Sequence, residues 1–190
     1  MVRVISGSAG GLKLKTAESA ETRPTLDRVK EAMFSILTPY IKGRNVLDLF
    51  AGSGALGIEA LSRGAEHGCF NDIDRACAGL VKENLKHTGL DGKALVNTGH
   101  YAKALGRFRD EKRSFGLILL DPPYGAELYE DAVLTIERYG LFDTECVIMC
   151  EHRREKPLPD EIGGFKAFRH REYGTVGLTF YKRGGDEIGD

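Results

Sequence analysis

The sequence predicts an α/β fold built on a mostly parallel sheet, and three observations support this prediction. Segments that read as strands alternate with segments that read as helices over most of the chain. The segment 45–50 reads as a strand and passes directly into a glycine loop, Gly52-x-Gly54-x-x-Gly57, and then into a helix. The run 117–120 consists of four aliphatic residues, which is typical of a strand buried on both faces.

The composition is that of a soluble globular protein. The 190 residues suffice for one domain with a real core, and 42% of them are hydrophobic and 29% charged. The formal charge of -1 gives no global basic field, so contact with nucleic acid must depend on local patches. No apolar run approaches the about 20 residues of a membrane span, and residues 1–8 lack the apolar core of a secretory signal. We therefore expect a cytoplasmic protein.

The cysteine pattern favours reduced, packed thiols. Cys69, Cys77, Cys146 and Cys150 contain no C-x-x-C pair, and only His152 lies near the last two. This spacing gives little support to a metal site, and we predict that the protein holds no metal.

The amino terminus predicts a β-hairpin extension over residues 1–20. Residues 2–5 and 12–14 read as short strands, and the glycine-rich segment between them predicts a long, flexible tip that stands apart from the rest. The main domain is expected over 21–183. The acidic, glycine-rich tail 184–190 is predicted to be disordered.

The first predicted helix runs from about Leu26 to Leu37, with Thr25 as its N-cap. Its apolar stripe is expected to be core and consists of Val29, Met33, Phe34 and Leu37. Arg23 and Thr25 have two interpretations. A surface charge and a helix cap would explain them, and so would contact with an anionic ligand at the helix start.

The glycine loop is preceded by an acid. By itself, a G-x-G-x-x-G fingerprint fits a nicotinamide enzyme as well as anything else. Asp48, however, lies four residues before the first glycine. A carboxylate there is poorly placed beside a pyrophosphate and well placed to hold a cationic amino group.

The next predicted strand ends at Asp72, fifteen residues after Gly57. An acid at this point can accept both hydroxyls of a ribose, and Ile73 beside it can pack on an adenine face. Asp74 is more simply an N-cap for a helix near 76–87. His100 follows a further short strand, in a loop where a base edge could be read, although a lone histidine in a turn is usually polar surface.

The chemistry is predicted to centre on Asp121-Pro122-Pro123-Tyr124, which ends the buried strand. The prolines cannot donate to a ladder and hold the carboxylate on a stiff, extended turn. The carboxylate and the carbonyl between the prolines can each accept an N–H from the exocyclic amine of a planar base, on which the tyrosine ring can stack. An ordinary strand-to-turn junction is the alternative, but this four-residue motif after a buried strand favours chemistry.

The rest of the chain is expected to complete the sheet. The pattern predicts a helix over 128–139, a buried strand over 145–151 and an antiparallel hairpin formed by 165–171 and 175–182.

These motifs together resemble a known family. Asp-Leu-Phe-Ala-Gly-Ser-Gly at 48–54, followed by Asp-Pro-Pro-Tyr at 121–124, is similar to S-adenosylmethionine-dependent amino-methyltransferases. Arg-Pro-Thr at 23–25, continued by the Asp-Arg-Val-x-Glu-x-x-Phe pattern at 27–34, narrows the resemblance to the bacterial 16S ribosomal RNA guanine-N2 methyltransferases, the RsmD family. The resemblance covers nearly the whole chain.

The resemblance implies a Rossmann-like class I methyltransferase fold, with seven strands in the order 3-2-1-4-5-7-6 and the last one antiparallel. It implies S-adenosylmethionine as methyl donor, S-adenosylhomocysteine as product and a guanine in 16S ribosomal RNA as acceptor. An assembled small-subunit particle is the expected substrate, because the amino-terminal hairpin carries less arginine than is usual in relatives. The protein is expected to act as a monomer.

The resemblance also implies roles for individual residues. Asp121, Pro122, Pro123 and Tyr124 would hold the guanine. Arg23 and Thr25 would close over the cofactor or the substrate. His100 stands where relatives often have an acid that reads the adenine amine. The cofactor-binding set is expected to comprise Arg23, Thr25, Asp48, Phe50, Gly52, Gly54, Asp72, Ile73 and His100.

Two other functions are open on sequence grounds. An adenine-amine methyltransferase acting on DNA would use the same Asp-Pro-Pro-Tyr loop, although the chain offers no obvious second domain for reading DNA. A non-catalytic RNA-binding assembly factor could keep the fold, although Asp48, Asp72 and Asp121 are all present.

Overall fold

A computed structural model describes residues 2–16, 24–123 and 127–184 of the chain, with the backbone alone for 24–26 and 127. Arg23, Tyr124 and the tail 185–190 lie outside the described residues, as does the side chain of Thr25. In chain order the elements are β1 Val2–Arg3, β2 Lys13–Leu14, α1 Pro24–Leu37, β3 Asn45–Asp48, α2 Ala55–Ser62, β4 His67–Asp72, α3 Arg75–Thr88, β5 Ala94–Thr98, α4 Tyr101–Asp110, β6 Phe115–Leu120, α5 Glu127–Tyr139, β7 Phe142–Arg153, β8 Glu161–Ile162, β9 Phe165–Tyr173 and β10 Val176–Arg183.

The central sheet confirms the predicted fold class. Its strand order is β5-β4-β3-β6-β7-β10-β9-β8, with β3 to β7 mutually parallel and β10 antiparallel to both of its neighbours. Without β8, this order is the predicted one, including the antiparallel last strand. The strand β8 is an eighth member that the prediction missed, because two residues paired with the start of β9 are too few to show any alternation.

Two apolar clusters, one on each face of the sheet, form the core. Helices α1, α2 and α3 contribute to one cluster, and α4 and α5 contribute to the other. The predicted core stripe of α1 is confirmed, since its four residues are at most 2% exposed. The helix begins at Pro24, so Thr25 lies inside it and is not its N-cap. Proline is favoured in the first helical turn because it has no N–H to leave unpaired there.

The amino-terminal hairpin is docked on the domain through Glu59 of α2, which is completely buried. Its carboxylate accepts hydrogen bonds from the backbone N–H groups of Ile5, at 2.7 Å, and Ser6, at 3.0 Å. The same carboxylate pairs with Lys30 at 3.1 Å and Arg63 at 2.7 Å. A buried charge needs this number of partners, and the hairpin supplies two of them. The expectation of a hairpin standing apart is therefore wrong.

The hairpin tip is also fixed. The backbone N–H of Ser8 donates to the Ser62 carbonyl at 2.9 Å, and the N–H of Ala9 donates to the Ser62 hydroxyl at 2.9 Å. Gly7 has a φ of +87°, and a Cβ added there would lie 1.9 Å from the Ser62 carbonyl oxygen. The tip glycine thus permits close contact with α2, and the predicted flexibility of the tip is wrong.

The cysteines are free, as predicted, and Cys69, Cys146 and Cys150 are buried. Among the described residues, no helix combines the length and the apolarity needed to cross a membrane.

Replacing the buried acid should destabilise the protein strongly. In Glu59→Ala, Lys30 and Arg63 lose their buried counter-charge and two hairpin N–H groups lose their acceptor. We expect the free energy of unfolding to fall by about 3–5 kcal/mol, measured by urea denaturation. Glu66→Ala, at an exposed position in the connection that follows α2, is the control. It should change the free energy of unfolding by less than about 0.5 kcal/mol. Similar values for the two variants would contradict the anchoring role.

Candidate active site

Three neighbouring strands have an acid at or near their carboxyl ends, and all three acids face the same side of the sheet. Asp48 of β3 is in register with Leu119 of β6, which is in register with Met149 of β7. Leu119 and Met149 both belong to the apolar cluster on the α1–α3 face. Because side chains alternate along a strand, Asp121 and Glu151, two residues further on, point to that face as well.

These acids open onto one cleft of about 1170 Å³. Asp48 and Asp121 both line it, so the glycine loop and the Asp-Pro-Pro turn share one cleft. The described lining residues are Asp48, Phe50, Ala51, Gly52, Ser53, Ala55, Leu56, Asp72, Ile73, Asp74, Cys77, Asp121, Pro122, Pro123, Tyr129, Glu151, His152, Arg153, Glu155, Lys156, Thr175 and Val176.

The glycine loop lets α2 start very close to the sheet. Gly52 and Gly54 have φ values of +53° and +78°, which turn the chain from β3 into the helix. At Gly57 an added Cβ would lie 2.3 Å from the Phe70 ring and 3.1 Å from the Cβ of Asp48. The third glycine of the fingerprint is thus required for helix–strand packing.

Asp48 lies at the floor of the cleft and is only 2% exposed. Its Oδ2 accepts a hydrogen bond from the backbone N–H of Gly57 at 2.9 Å. Burial raises the pKa of Asp48 to about 7, the Gly57 hydrogen bond opposes this shift, and the charges of Asp121 and Asp72 add to it. A cationic ligand in the cleft would therefore favour ionisation of this acid near neutral pH.

Asp72 joins the glycine loop to the start of α3. Its Oδ2 accepts from the Gly52 N–H at 2.8 Å, and its Oδ1 accepts from the Asp74 N–H at 2.9 Å. Asp74 accepts from the Ala76 N–H at 2.7 Å, which confirms it as the N-cap of α3. Ile73 between them is 68% exposed and borders the cleft. An exposed apolar side chain next to an acid suits a nucleoside, because the acid can bind the sugar hydroxyls and the apolar group can pack on the base.

The residues present thus fit the predicted cofactor. A cationic amino acid end, a ribose and an adenine would meet Asp48, Asp72 and Ile73 in turn along one cleft. Phe50 also lines the cleft, with its ring 5.6 Å from that of Tyr101. Each of these contacts with the cofactor stays a prediction, and the fold is compatible with it.

His100 has a different local role. Its Nδ1 accepts from the Ala102 N–H at 3.3 Å, so the side chain caps α4. It is not among the described residues that line the cleft, and its contact with the cofactor stays a prediction. Arg23, the Thr25 side chain and Tyr124 lie outside the described residues, so their predicted roles stay predictions too.

Asp121 is exposed to the cleft and Pro122 beside it is buried. The protein atoms crowded around the carboxyl raise the pKa of Asp121 to about 6. The carboxyl is thus poised between its two protonation states just below neutral pH.

Sequence reasoning missed a second acid next to Asp121. Glu151 lines the same cleft, and the hydroxyl of Tyr129 donates to its backbone carbonyl at 2.6 Å. The position of Glu151 could have indicated a site residue, because it directly follows the buried residues 147–150 of β7. This strand neighbours β6 in the sheet. A single acid near the end of a strand forms no motif, so the sequence alone does not single it out.

Comparisons with known proteins find a matching family model and similar chains. Residues 2–182 match a family model described as "Conserved hypothetical protein 95". YlbH of Bacillus subtilis is 42% identical over 97% of this chain and 100% of its own length. The ribosomal RNA small subunit methyltransferase D of Escherichia coli K12 is 33% identical over 96% of this chain and 90% of its own. The solved structure of yhhF from Escherichia coli superposes with a TM-score of 0.84 at 31% identity, over 97% of this chain and 99% of that one.

A methyl group added at the third loop glycine should be poorly tolerated. Gly57→Ala places a Cβ against Phe70 and Asp48, so we expect about 1–3 kcal/mol of destabilisation in urea unfolding. Gly79→Ala is the matched control, since a Cβ at this exposed position within α3 meets nothing within 4 Å. It should leave stability unchanged or raise it by up to about 1 kcal/mol. Equal effects would show that close packing at Gly57 is not required.

The buried acid should also make stability depend on pH. Because the pKa of Asp48 is raised in the folded protein, the unfolded chain loses this proton first, and stability falls as pH rises from about 4 to about 7. Asp48→Asn removes this loss. We compare the free energy of unfolding of Asp48→Asn with that of wild type, measured by urea unfolding at pH 5 and at pH 8. The difference should change by about 2–3 kcal/mol in favour of the variant from pH 5 to pH 8. A difference independent of pH would contradict the raised pKa.

Proposed function

We propose that this chain, which belongs to the RsmD family of ribosomal RNA methyltransferases, transfers a methyl group from S-adenosylmethionine to the exocyclic N2 amine of a guanine in 16S ribosomal RNA. The observation that carries the proposal is the shared cleft, into which both the glycine-loop acid Asp48 and the Asp121-Pro122-Pro123 turn open. The Escherichia coli relative is named for acting on small-subunit ribosomal RNA.

The chain must first make the amine a better nucleophile. The lone pair of an exocyclic amine is conjugated with its ring, so it attacks poorly. The Asp121 carboxylate and the carbonyl of Pro122 can each accept one N–H of the amine. These two bonds fix its orientation and draw electron density toward the nitrogen. When bound, S-adenosylmethionine supplies an electrophilic methyl group on a sulfonium.

The proton balance assigns a second task to Asp121. A nitrogen–carbon bond forms, the carbon–sulfur bond breaks, and the amine nitrogen must lose one proton. Asp121 is the nearest acceptor because it already holds that amine in the proposed complex. Its pKa of about 6 allows it to be ionised at neutral pH and still take up a proton transiently.

The remaining parts of the cleft are assigned to binding. Asp48 and the glycine loop would hold the methionine end of the cofactor, and Asp72 and Ile73 the nucleoside end. Phe50 would complete this wall, and Arg23, Thr25 and His100 stay predicted contacts. Tyr124 would stack on the guanine, worth about 1–3 kcal/mol.

The substrate is proposed to be an assembled small-subunit particle on which the protein acts as a monomer. The formal charge of -1 provides little general attraction to RNA, so a particle would have to add contacts. The guanine must leave its stack to enter the cleft, which costs a few kcal/mol and least where the base is already in a loop.

The central test is Asp121→Ala. Methyl transfer from labelled S-adenosylmethionine to small-subunit particles should fall at least about 100-fold, because both the amine's acceptor and its proton acceptor are lost. Calorimetry should show nearly unchanged cofactor binding. Asp91→Ala, at an exposed turn before β5, is the control and should keep full activity.

The same assay separates the alternatives. Unchanged turnover in Asp121→Ala would refute the mechanism. Transfer to duplex DNA in place of ribosomal RNA would refute the substrate, and absence of S-adenosylmethionine binding would favour a non-catalytic factor.

A further inference from the structure

We propose that Glu151 determines the choice of base, by accepting the ring N1–H of the target guanine while Asp121 holds the adjacent amine. This inference rests on the proposed function and adds to it a residue that selects guanine over other amine-bearing bases.

The sheet places the two acids side by side. Leu120 of β6 is in parallel register with Cys150 of β7, so Asp121 and Glu151 follow at the same level on neighbouring strands. Neighbouring strands lie about 4.8 Å apart. The alternation of side chains points both acids to the same face, and both line the cleft. A base whose amine reaches Asp121 therefore has a flanking ring atom within reach of Glu151, and for guanine the proposal assigns this place to N1 and not to N3.

Glu151 is held in position through its backbone. The Tyr129 hydroxyl from α5 fixes the Glu151 carbonyl at 2.6 Å, and Leu178 of β10 is paired with it on the other side. The side chain is half-buried, and within the described residues it makes no hydrogen bond or ion pair. An acid that is partly removed from water and left unpaired beside a functional loop is available for a ligand.

The donor and acceptor pattern of the bases then selects guanine. Beside its exocyclic amine, guanine carries a ring N1–H, which is a donor. Adenine and cytosine carry a bare ring nitrogen beside theirs, which is an acceptor. An ionised carboxylate only accepts, so Glu151 would pair with guanine and repel the other two. The Asp-Pro-Pro turn reads only an amine and cannot make this distinction by itself.

The charges around Glu151 bear on its ionisation. Burial raises the pKa of Glu151 to about 8, and the charge of Asp121 adds to the shift. The other titratable groups that share this part of the cleft are Tyr129, His152, Arg153, Glu155 and Lys156. A cationic ligand and two N–H donors would favour ionisation of both acids.

The test uses an RNA substrate that the wild-type protein methylates, with guanine or 2-aminopurine ligated into the methylated position. 2-Aminopurine keeps the amine but has an acceptor at N1. Wild-type kcat/KM should be roughly 10- to 100-fold lower on 2-aminopurine than on guanine. In Glu151→Gln the amide can donate to that N1, so the ratio should fall to within about 3-fold. Glu145→Gln, at an exposed position of the same strand, should keep the wild-type ratio.

A second measurement excludes a merely structural effect. In the wild-type protein the preference for guanine over 2-aminopurine should rise with pH as Glu151 ionises, and in Glu151→Gln, which cannot ionise, the preference should not change with pH. A general loss of folding would not remove the pH dependence of this ratio.

Each outcome decides between the two proposals. A wild-type protein that methylates no guanine refutes the proposed function itself. A wild-type protein that methylates guanine, with the same base ratio in Glu151→Gln, overturns only the role of Glu151. If Glu151→Gln does not fold, the wild-type ratio decides alone, and equal rates on the two bases overturn the inference.

Discussion

The parallel register of β3, β6 and β7 is the constraint on which the cleft depends. Side chains alternate along each strand, so a shift of one residue between any two of these strands would send one acid to the opposite face of the sheet. The observed register brings Asp48, Asp121 and Glu151 to one face, next to the glycine loop. Burial raises the pKa values of all three acids, the charge of Asp121 adds to the shifts of Asp48 and Glu151, and a cationic donor would relieve this repulsion. The same arrangement therefore costs stability in the free protein and favours ligand binding.

The backbone around the acids is fixed by packing, and this rigidity suits the proposed chemistry. Gly57 brings α2 against Phe70 and Asp48, Asp72 ties the glycine loop to α3, and Tyr129 ties α5 to β7. Each tie uses a backbone atom or a buried side chain. The acid side chains of Asp121 and Glu151 thus stay available for a ligand, and a site for in-line transfer gains from such preorganised groups.

The sequence predicted those parts of the molecule that have a local signature. The glycine fingerprint, the aliphatic run before Asp121 and the alternation after Phe165 each predicted an element that the structure contains. Glu59 and Glu151 were missed because their importance depends on strands and helices that are distant in sequence. Glu59 could have been suspected, since an acid within the apolar helical run 58–61 must find buried partners. The docked hairpin and the two-residue strand β8 likewise depend on tertiary contacts and have no periodicity to read.

The anchoring of the hairpin has a consequence for the order in which the chain can become structured. The segment that supplies partners to Glu59 leaves the ribosome more than fifty residues before Glu59 does. Until α2 has been synthesised, Ile5 and Ser6 have no acceptor, and two short strands alone are marginal in water. Lys15 must wait longer still, since its backbone is clamped by Asn84 of α3, which also bonds the Ser53 carbonyl. The hairpin segment is thus synthesised before its partners in α2 and α3 and can become ordered only after them.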